Sequence, residues 1–329
     1  MNELGLAQKF SIVALNAQAS RSMTNAKKVA LRCISVATVI ETYLITGLIQ
    51  APDELTMKKE MLNHKDITLY QKILFGMILS RRDTVTGTLS WWITRSSKVT
   101  SRQLKKLEKA ITESLMGVDM IEEIPNLLGC DLYYDTSGVT IKEYRSNVEE
   151  YTRITETIRA EILEEGSVSD ETISMLWLLR ESGCLHDIFS NKELDTVSIR
   201  INELYRSISF AKTMFSLNVH RGMEIAIKNF LKMKKQAIMT PTGTGINFIF
   251  PVIERSQSIF IDTQAWFSNS QQRLNDVKER LESNGHTYTV LREGQAPLIK
   301  IDNIIYEAIP EAIYGKVPIH GVRLRKYPI

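Results

Sequence analysis

Residues Ser101 to Met116 read SRQLKKLEKAITESLM, and this stretch decides how the middle of the chain folds. Leu104, Leu107 and Ile111 recur at the three- and four-residue spacing of one helical face. Arg102, Lys105, Lys106 and Lys109 fall mostly off that stripe, so the segment reads as a helix with a strongly basic outer surface. Two hydrophobic runs follow, around Asp119–Ile124 and Cys130–Tyr134, and read as strands. Asp135-Thr136-Ser137-Gly138 supplies a turn after the second run. A helix followed by a hairpin is the outline of a winged-helix-like unit.

The sequence upstream is also helical in pattern. Leu6, Phe10, Val13 and Ala14 share one face. From Asn25 to Ile45, the residues Val29, Cys33, Val36, Ile40 and Leu44 form the stripe of a buried helix, with Gly47 as its stop. A third helix covers Leu69–Ser80, Thr84–Thr88 reads as a turn containing Gly87, and Trp91 and Trp92 read as a core anchor. Downstream, Glu143–Glu165 reads as one acidic helix. Ser169 is an N-cap, with Asp170 and Glu171 at the positive end of the helix that runs to Gly183. Ile188–Phe215 and Arg221–Lys235 supply further helices.

Beyond Thr240–Gly245 the pattern changes, and we place a boundary there. Ile246–Ile253, Ser258–Asp262, Thr287–Leu291, Leu298–Ile301 and Ile304–Ala308 read as strands, and Ser270–Ser283 as an amphipathic helix. The expected fold is mainly α: a helical bundle with a β-hairpin over residues 1–240, plus a small C-terminal α+β domain over 246–329.

With 329 residues, 24% of them charged, the composition is that of a folded globular protein and excludes collagen-like or low-complexity chains. The formal net charge of +3 conceals a strong asymmetry. Residues 1–120 carry 17 basic and 10 acidic side chains, residues 121–200 carry 7 and 17, and residues 201–329 carry 17 and 11. A basic–acidic–basic chain can present a charged face behind a small total. No run approaches the ~20 apolar residues that cross a bilayer, and the first ten residues lack a secretory pattern, so a cytoplasmic location is expected. Cys33, Cys130 and Cys184 form no CxxC pair, and the five histidines form no HExxH site. Neither a Walker loop nor a GxSxG nucleophile occurs, so no metal or other cofactor is expected.

Four stretches carry a resemblance. Gly5–Asn16 (GLAQKFSIVALN) is similar to the apolar first helix of the Golgi phosphoprotein 3 family, and Val39–Leu44 (VIETYL) resembles its L-I-E-L-A-L helix. Ser101–Lys109 before a hairpin resembles its basic helix, and Thr172–Gly183 (TISMLWLLRESG) with Leu185, Ile188 and Phe189 resembles a helix and turn near its end. The shared order covers residues 1 to about 236. The resemblance implies a mostly helical, cytosolic, peripheral-membrane adaptor. The family's eukaryotic members bind phosphatidylinositol 4-phosphate and the tails of glycosyltransferases. Their lipid-pocket positions fall near Ala26 and Ser35 and on Lys105 and Glu108; only Lys105 is cationic here.

The candidate anion-binding residues are Arg81, Arg82, Arg95, Lys98, Arg102, Lys105, Lys106 and Lys109. They favour an anionic membrane surface or a protein partner, with attachment peripheral on the cytoplasmic membrane face. A winged-helix-like contact with nucleic acid is the alternative. A second alternative is a metal-dependent enzyme in the tail, drawing on Glu254, Asp262, Arg292, Glu293 and Lys300. The terminal Arg323, Arg325 and Lys326 read as a solvated basic end or partner contact.

Overall fold

The computed structural model describes residues 3–46, 54–131, 136, 138, 140–219, 259–263, 269–313 and 318–327. Among these it is mainly α, with a five-stranded antiparallel sheet in the C-terminal region. The expected boundary at Thr240–Gly245, the strand at Ile246–Ile253 and the helix at Arg221–Lys235 lie outside the described residues.

The core of the helical part is built around two helices. Helix α2 (Asn25–Thr46) buries Val29, Cys33, Val36 and Ile40, as its periodicity predicts. It packs against α1 (Leu6–Ala14), α4 (Leu89–Ser97), α5 (Ser101–Met116) and α7 (Asp170–Ser182). Helix α7 is buried from Thr172 to Ser182, and its buried charges satisfy each other, Arg180 pairing with Glu181 at 2.8 Å. It starts at Ser169, whose hydroxyl accepts the Thr172 amide at 3.1 Å, and stops at Gly183 in the left-handed conformation at φ 74°. Helix α3 (Leu69–Leu79) lies on α5, and α6 (Val148–Leu163), α8 (Asn191–Ser207) and α9 (Ser209–Ser216) complete the helical part.

Gly5 shows how closely these helices approach. A Cβ there would sit 2.3 Å from the Glu41 carboxylate, which accepts the Ala7 amide at 2.8 Å and the Tyr70 hydroxyl at 2.9 Å. Glu41, an interruption in an apolar run of sequence, is thus a buried acceptor joining α1, α2 and α3.

Three expectations are corrected. Thr84–Thr88 is strand β2, paired antiparallel with β1 (Glu54–Lys58), because Val85 and Met57 face the core across the pair. The hairpin after α5 joins β3 (Ile121–Pro125) to β4 (Lys142–Ser146), not to Cys130–Tyr134. Leu127–Cys130 is instead a short 3-10 turn, and residues 132–135 lie outside the described residues. The acidic helix accordingly begins at Val148, after Asn147 caps it by accepting the Glu150 amide at 3.1 Å.

The C-terminal sheet has the strand order β5-β9-β8-β7-β6, with β5 at Ile259–Asp262, β6 at Tyr288–Arg292, β7 at Leu298–Ile301, β8 at Ile304–Ile313 and β9 at Ile319–Lys326. Helix α10 (Ser270–Ser283) covers one face with Leu274, Val277 and Leu281. Leu127 and Cys130 from the helical part join this second core. The "basic end" is therefore a paired strand. Arg323 reaches Glu311 on β8 and lies 5.6 Å from the Phe260 ring, while Lys326 forms a nearly buried pair with Asp187.

Candidate functional site

Helix α3 ends at Ser80, whose φ of 51° is unusual for a residue with a Cβ and turns the chain sharply outward. That turn presents Arg81 and Arg82 beside the outer face of α4, which carries Trp91, Thr94 and Arg95 and is followed by Lys98. Together they line an open groove of about 670 Å³ floored by Ile78 and Leu79. All four cations are exposed. None forms an ion pair among the described residues.

Trp91 and Trp92 have separate roles, which corrects the reading of both as core. Trp92 is fully buried, donates its indole N–H to the Leu55 carbonyl at 2.8 Å and meets Phe75 edge-on. Trp91 packs at 87° against Trp92 and is 39% exposed at the groove. Gly87 permits this, since a Cβ there would lie 2.8 Å from the Trp91 ring.

The remaining four predicted residues stand on α5 and do not line the groove. Thr100 caps this helix, accepting the Gln103 amide at 3.4 Å while the Gln103 side chain accepts the Thr100 amide at 2.8 Å. Arg102, Lys105, Lys106 and Lys109 are all exposed, and Lys109 lies 3.7 Å from Glu113. Glu108 points the other way. It is buried, 2.5 Å from the Lys27 ammonium, and accepts the Tyr144 hydroxyl at 3.0 Å. Lys27 also donates to the Ala19 and Ser20 carbonyls at 2.7 and 2.8 Å. Burial pushes the Glu108 carboxyl up and the Lys27 ammonium down, each only partly offset by the other. Glu108 therefore does not oppose anions at the surface.

The positions implied by the family resemblance are not gathered into a surface pocket. Ala26 and Ser35 are buried, and the Ser35 hydroxyl donates to carbonyls of Arg32 and Ser96 at 2.8 Å each. Of the four, Lys105 is the exposed cation.

A second polar cluster joins the sheet to the helical part, and sequence reasoning missed it. Asp302 and Asn303, at φ 46° and 77°, form the two-residue turn between β7 and β8. The Asp302 Oδ1 accepts from Arg145 Nη1 at 3.3 Å and the Thr287 amide at 3.0 Å, and Oδ2 meets His286 Nδ1. Asn16 donates to the Asp302 carbonyl at 3.2 Å, and Asn303 donates to the Ser146 carbonyl at 3.1 Å. Burial raises the Asp302 carboxyl, but the His286 hydrogen bond, the Arg145 charge and the Thr287 amide together hold it below its ordinary value.

The tail residues considered for an enzyme site do not converge. Asp262 ends edge strand β5, and Glu293 follows the opposite edge strand β6. Four strand spacings of ~4.8 Å separate these edges by roughly 19 Å, so one metal ion cannot bridge them. Glu254 lies outside the described residues. No helix among the described residues is long and apolar enough to cross a membrane. No protein-family model matches the chain, and no curated protein matches it.

Proposed function

We propose that this protein is a non-catalytic adaptor that docks on anionic membrane surfaces through the groove of Arg81, Arg82, Arg95 and Lys98, with Trp91 at its edge. In this reading the helical part is a bundle of the Golgi phosphoprotein 3 type, cytoplasmic and peripheral, and the C-terminal α+β unit is an addition to it. The observation that carries the proposal is electrostatic. The four groove cations, with Arg102 and Lys106, form no salt bridge among the described residues, and Lys105 is exposed beside them on α5 although its charge also reaches the buried Glu108.

Each basic side chain near an acidic leaflet contributes ~1 kcal/mol, so four give about 4 kcal/mol, a millimolar and reversible contact. An exposed tryptophan suits the water–lipid interface, where its ring is apolar and its N–H wet. Arg145 and Lys142 on β4 are paired with Glu122 and Glu123 on β3, so these strands lack the unpaired cations that a nucleic-acid-binding wing would set against phosphates, which disfavours the alternative.

Flotation with phosphatidylcholine vesicles, with and without phosphatidylserine, tests the proposal. Binding is expected only to the anionic vesicles, falling as salt rises and falling again in Arg81→Ala/Arg82→Ala. Equal binding to both vesicle types, or binding to neither, discards the membrane reading. A salt-dependent DNA mobility shift without vesicle binding points to nucleic acid instead.

A further inference from the structure

A half-open cavity of about 150 Å³ lies where the helical part meets the sheet. Ala26 of α2, Leu127 of the 3-10 turn and Ile304 of β8 give it apolar walls. Glu143 on β4 is the one charged residue in its lining, and it is buried. Junctions of this kind, mostly apolar with a few converging polar groups, are where small ligands are usually held.

Gln18 supplies the second polar group. It lines the same cavity, is only 5% exposed, and its carboxamide makes no hydrogen bond among the described residues. A buried amide left without partners is costly and calls for an explanation. The backbone holds it in place. Ala17 donates its amide to the Tyr144 carbonyl at 2.8 Å, and Tyr144 donates back to the Gln18 carbonyl at 3.0 Å. Ala17 itself is kept at φ 57°, a strained conformation for a residue with a Cβ. The Glu143 carboxylate is oriented by the Leu127 amide, which it accepts through Oε1 at 3.3 Å. A carboxylate accepts about four hydrogen bonds, so Glu143 has capacity for a further donor. Thr24 and Asn126, also in the lining, already cap their own turns, accepting the Lys27 and Leu128 amides at 3.1 and 2.8 Å.

From this pairing we propose that the cavity binds a small organic cation, a primary amine on a compact apolar body. The ammonium donates to the Glu143 carboxylate and to Gln18 Oε1. The body packs against Ala26, Leu127 and Ile304. A cavity of this volume takes a molecule of about the size of benzene. An ionised carboxylate only accepts, and a hydrogen bond that carries charge is roughly twice as strong as a neutral one, so an ammonium is preferred to a hydroxyl of the same shape. A quaternary ammonium has no N–H to give either acceptor. This inference is independent of membrane docking.

The test titrates the full chain by calorimetry with benzylamine and with benzyl alcohol, its uncharged counterpart. Benzylamine is expected to saturate at one equivalent with a dissociation constant of about 1 mM or tighter. Benzyl alcohol is expected to bind at least about tenfold more weakly. Glu143→Gln is expected to abolish that preference. Gln18→Met keeps the side-chain bulk without the amide, and is expected to weaken benzylamine about three- to tenfold. Ala26→Leu fills the cavity and is expected to remove binding of both probes while the melting temperature holds or rises. No saturable benzylamine binding by the unsubstituted chain overturns the proposal. Equal affinity for the alcohol does so too, and both results decide even if a variant folds poorly. Undiminished benzylamine affinity in the folded variants overturns it as well.

Discussion

On the inner side of α5, Glu108 meets Lys27 and Tyr144 away from water; on the outer side, Arg102 and Lys106 meet no carboxylate among the described residues. The groove repeats the outer pattern, and the Asp302 junction repeats the inner one. The contrast teaches that the basic side chains of residues 1–120 are not one population. Lys27 is neutralised inside and holds elements together, whereas the groove cations with Arg102 and Lys106 face water and are available to a partner.

The largest expected effect comes from breaking the inner pattern. Glu108→Gln leaves Lys27 buried beside a neutral group and is expected to lower unfolding stability by about 3–5 kcal/mol in urea titration. Lys27→Met in the same chain is expected to restore much of that loss, because the uncompensated charge goes with it. Breaking the outer pattern is expected to do the reverse. Arg81→Ala/Arg82→Ala is expected to cost about 2 kcal/mol of anionic-vesicle affinity, roughly thirtyfold. Its stability is expected to stay within about 0.5 kcal/mol of the parent, read by the same urea titration. Equal stability losses in the two experiments would dissolve the distinction.

How far the sequence reached follows the same division. The α2 stripe, the bounds of α5, the Ser169 cap, the Gly183 stop and helix α10 were legible because each depends on neighbours three or four residues apart. Strand β4 was read as helix because KEYRS lacks a clean apolar alternation, and its partner β3 lies some twenty residues earlier. Gly87 made β2 look like a turn, whereas its function is to admit the Trp91 ring. All eight candidate cations are exposed, but only Arg81, Arg82, Arg95 and Lys98 share the groove, since the Ser80 bend that divides them has no sequence signature. The junction was invisible because Asn16 and Asp302 are 286 residues apart.

A smaller effect sharpens the inner side through pH. Arg159 binds Glu193 with two hydrogen bonds of 2.9 and 2.7 Å and holds its carboxyl down at about 2. A depressed carboxyl stabilises the fold above its unfolded value and loses that contribution as pH falls through the folded one. Partly exposed as it is, the pair is expected to contribute about 1 kcal/mol. Arg159→Met is expected to lower stability by that amount at pH 6, with the difference from the parent shrinking between pH 4.5 and about 2. The smallest effect concerns the groove's hinge. Ser80→Gly relieves a positive φ and is expected to stabilise the fold by about 0.5 kcal/mol in thermal unfolding, with anionic-vesicle binding retained.

The strand order of the sheet bears on how the protein is made. Edge strand β5 has β9 as its partner, which the ribosome reaches roughly sixty residues later. At ~5–20 residues per second, β5 waits about 3–12 s with Ile259, Phe260 and Ile261 uncovered. The β6–β7–β8 meander can form during that interval, leaving two apolar edges that only one late insertion closes. Closure of the sheet thereby waits on β9, the last of its strands in chain order.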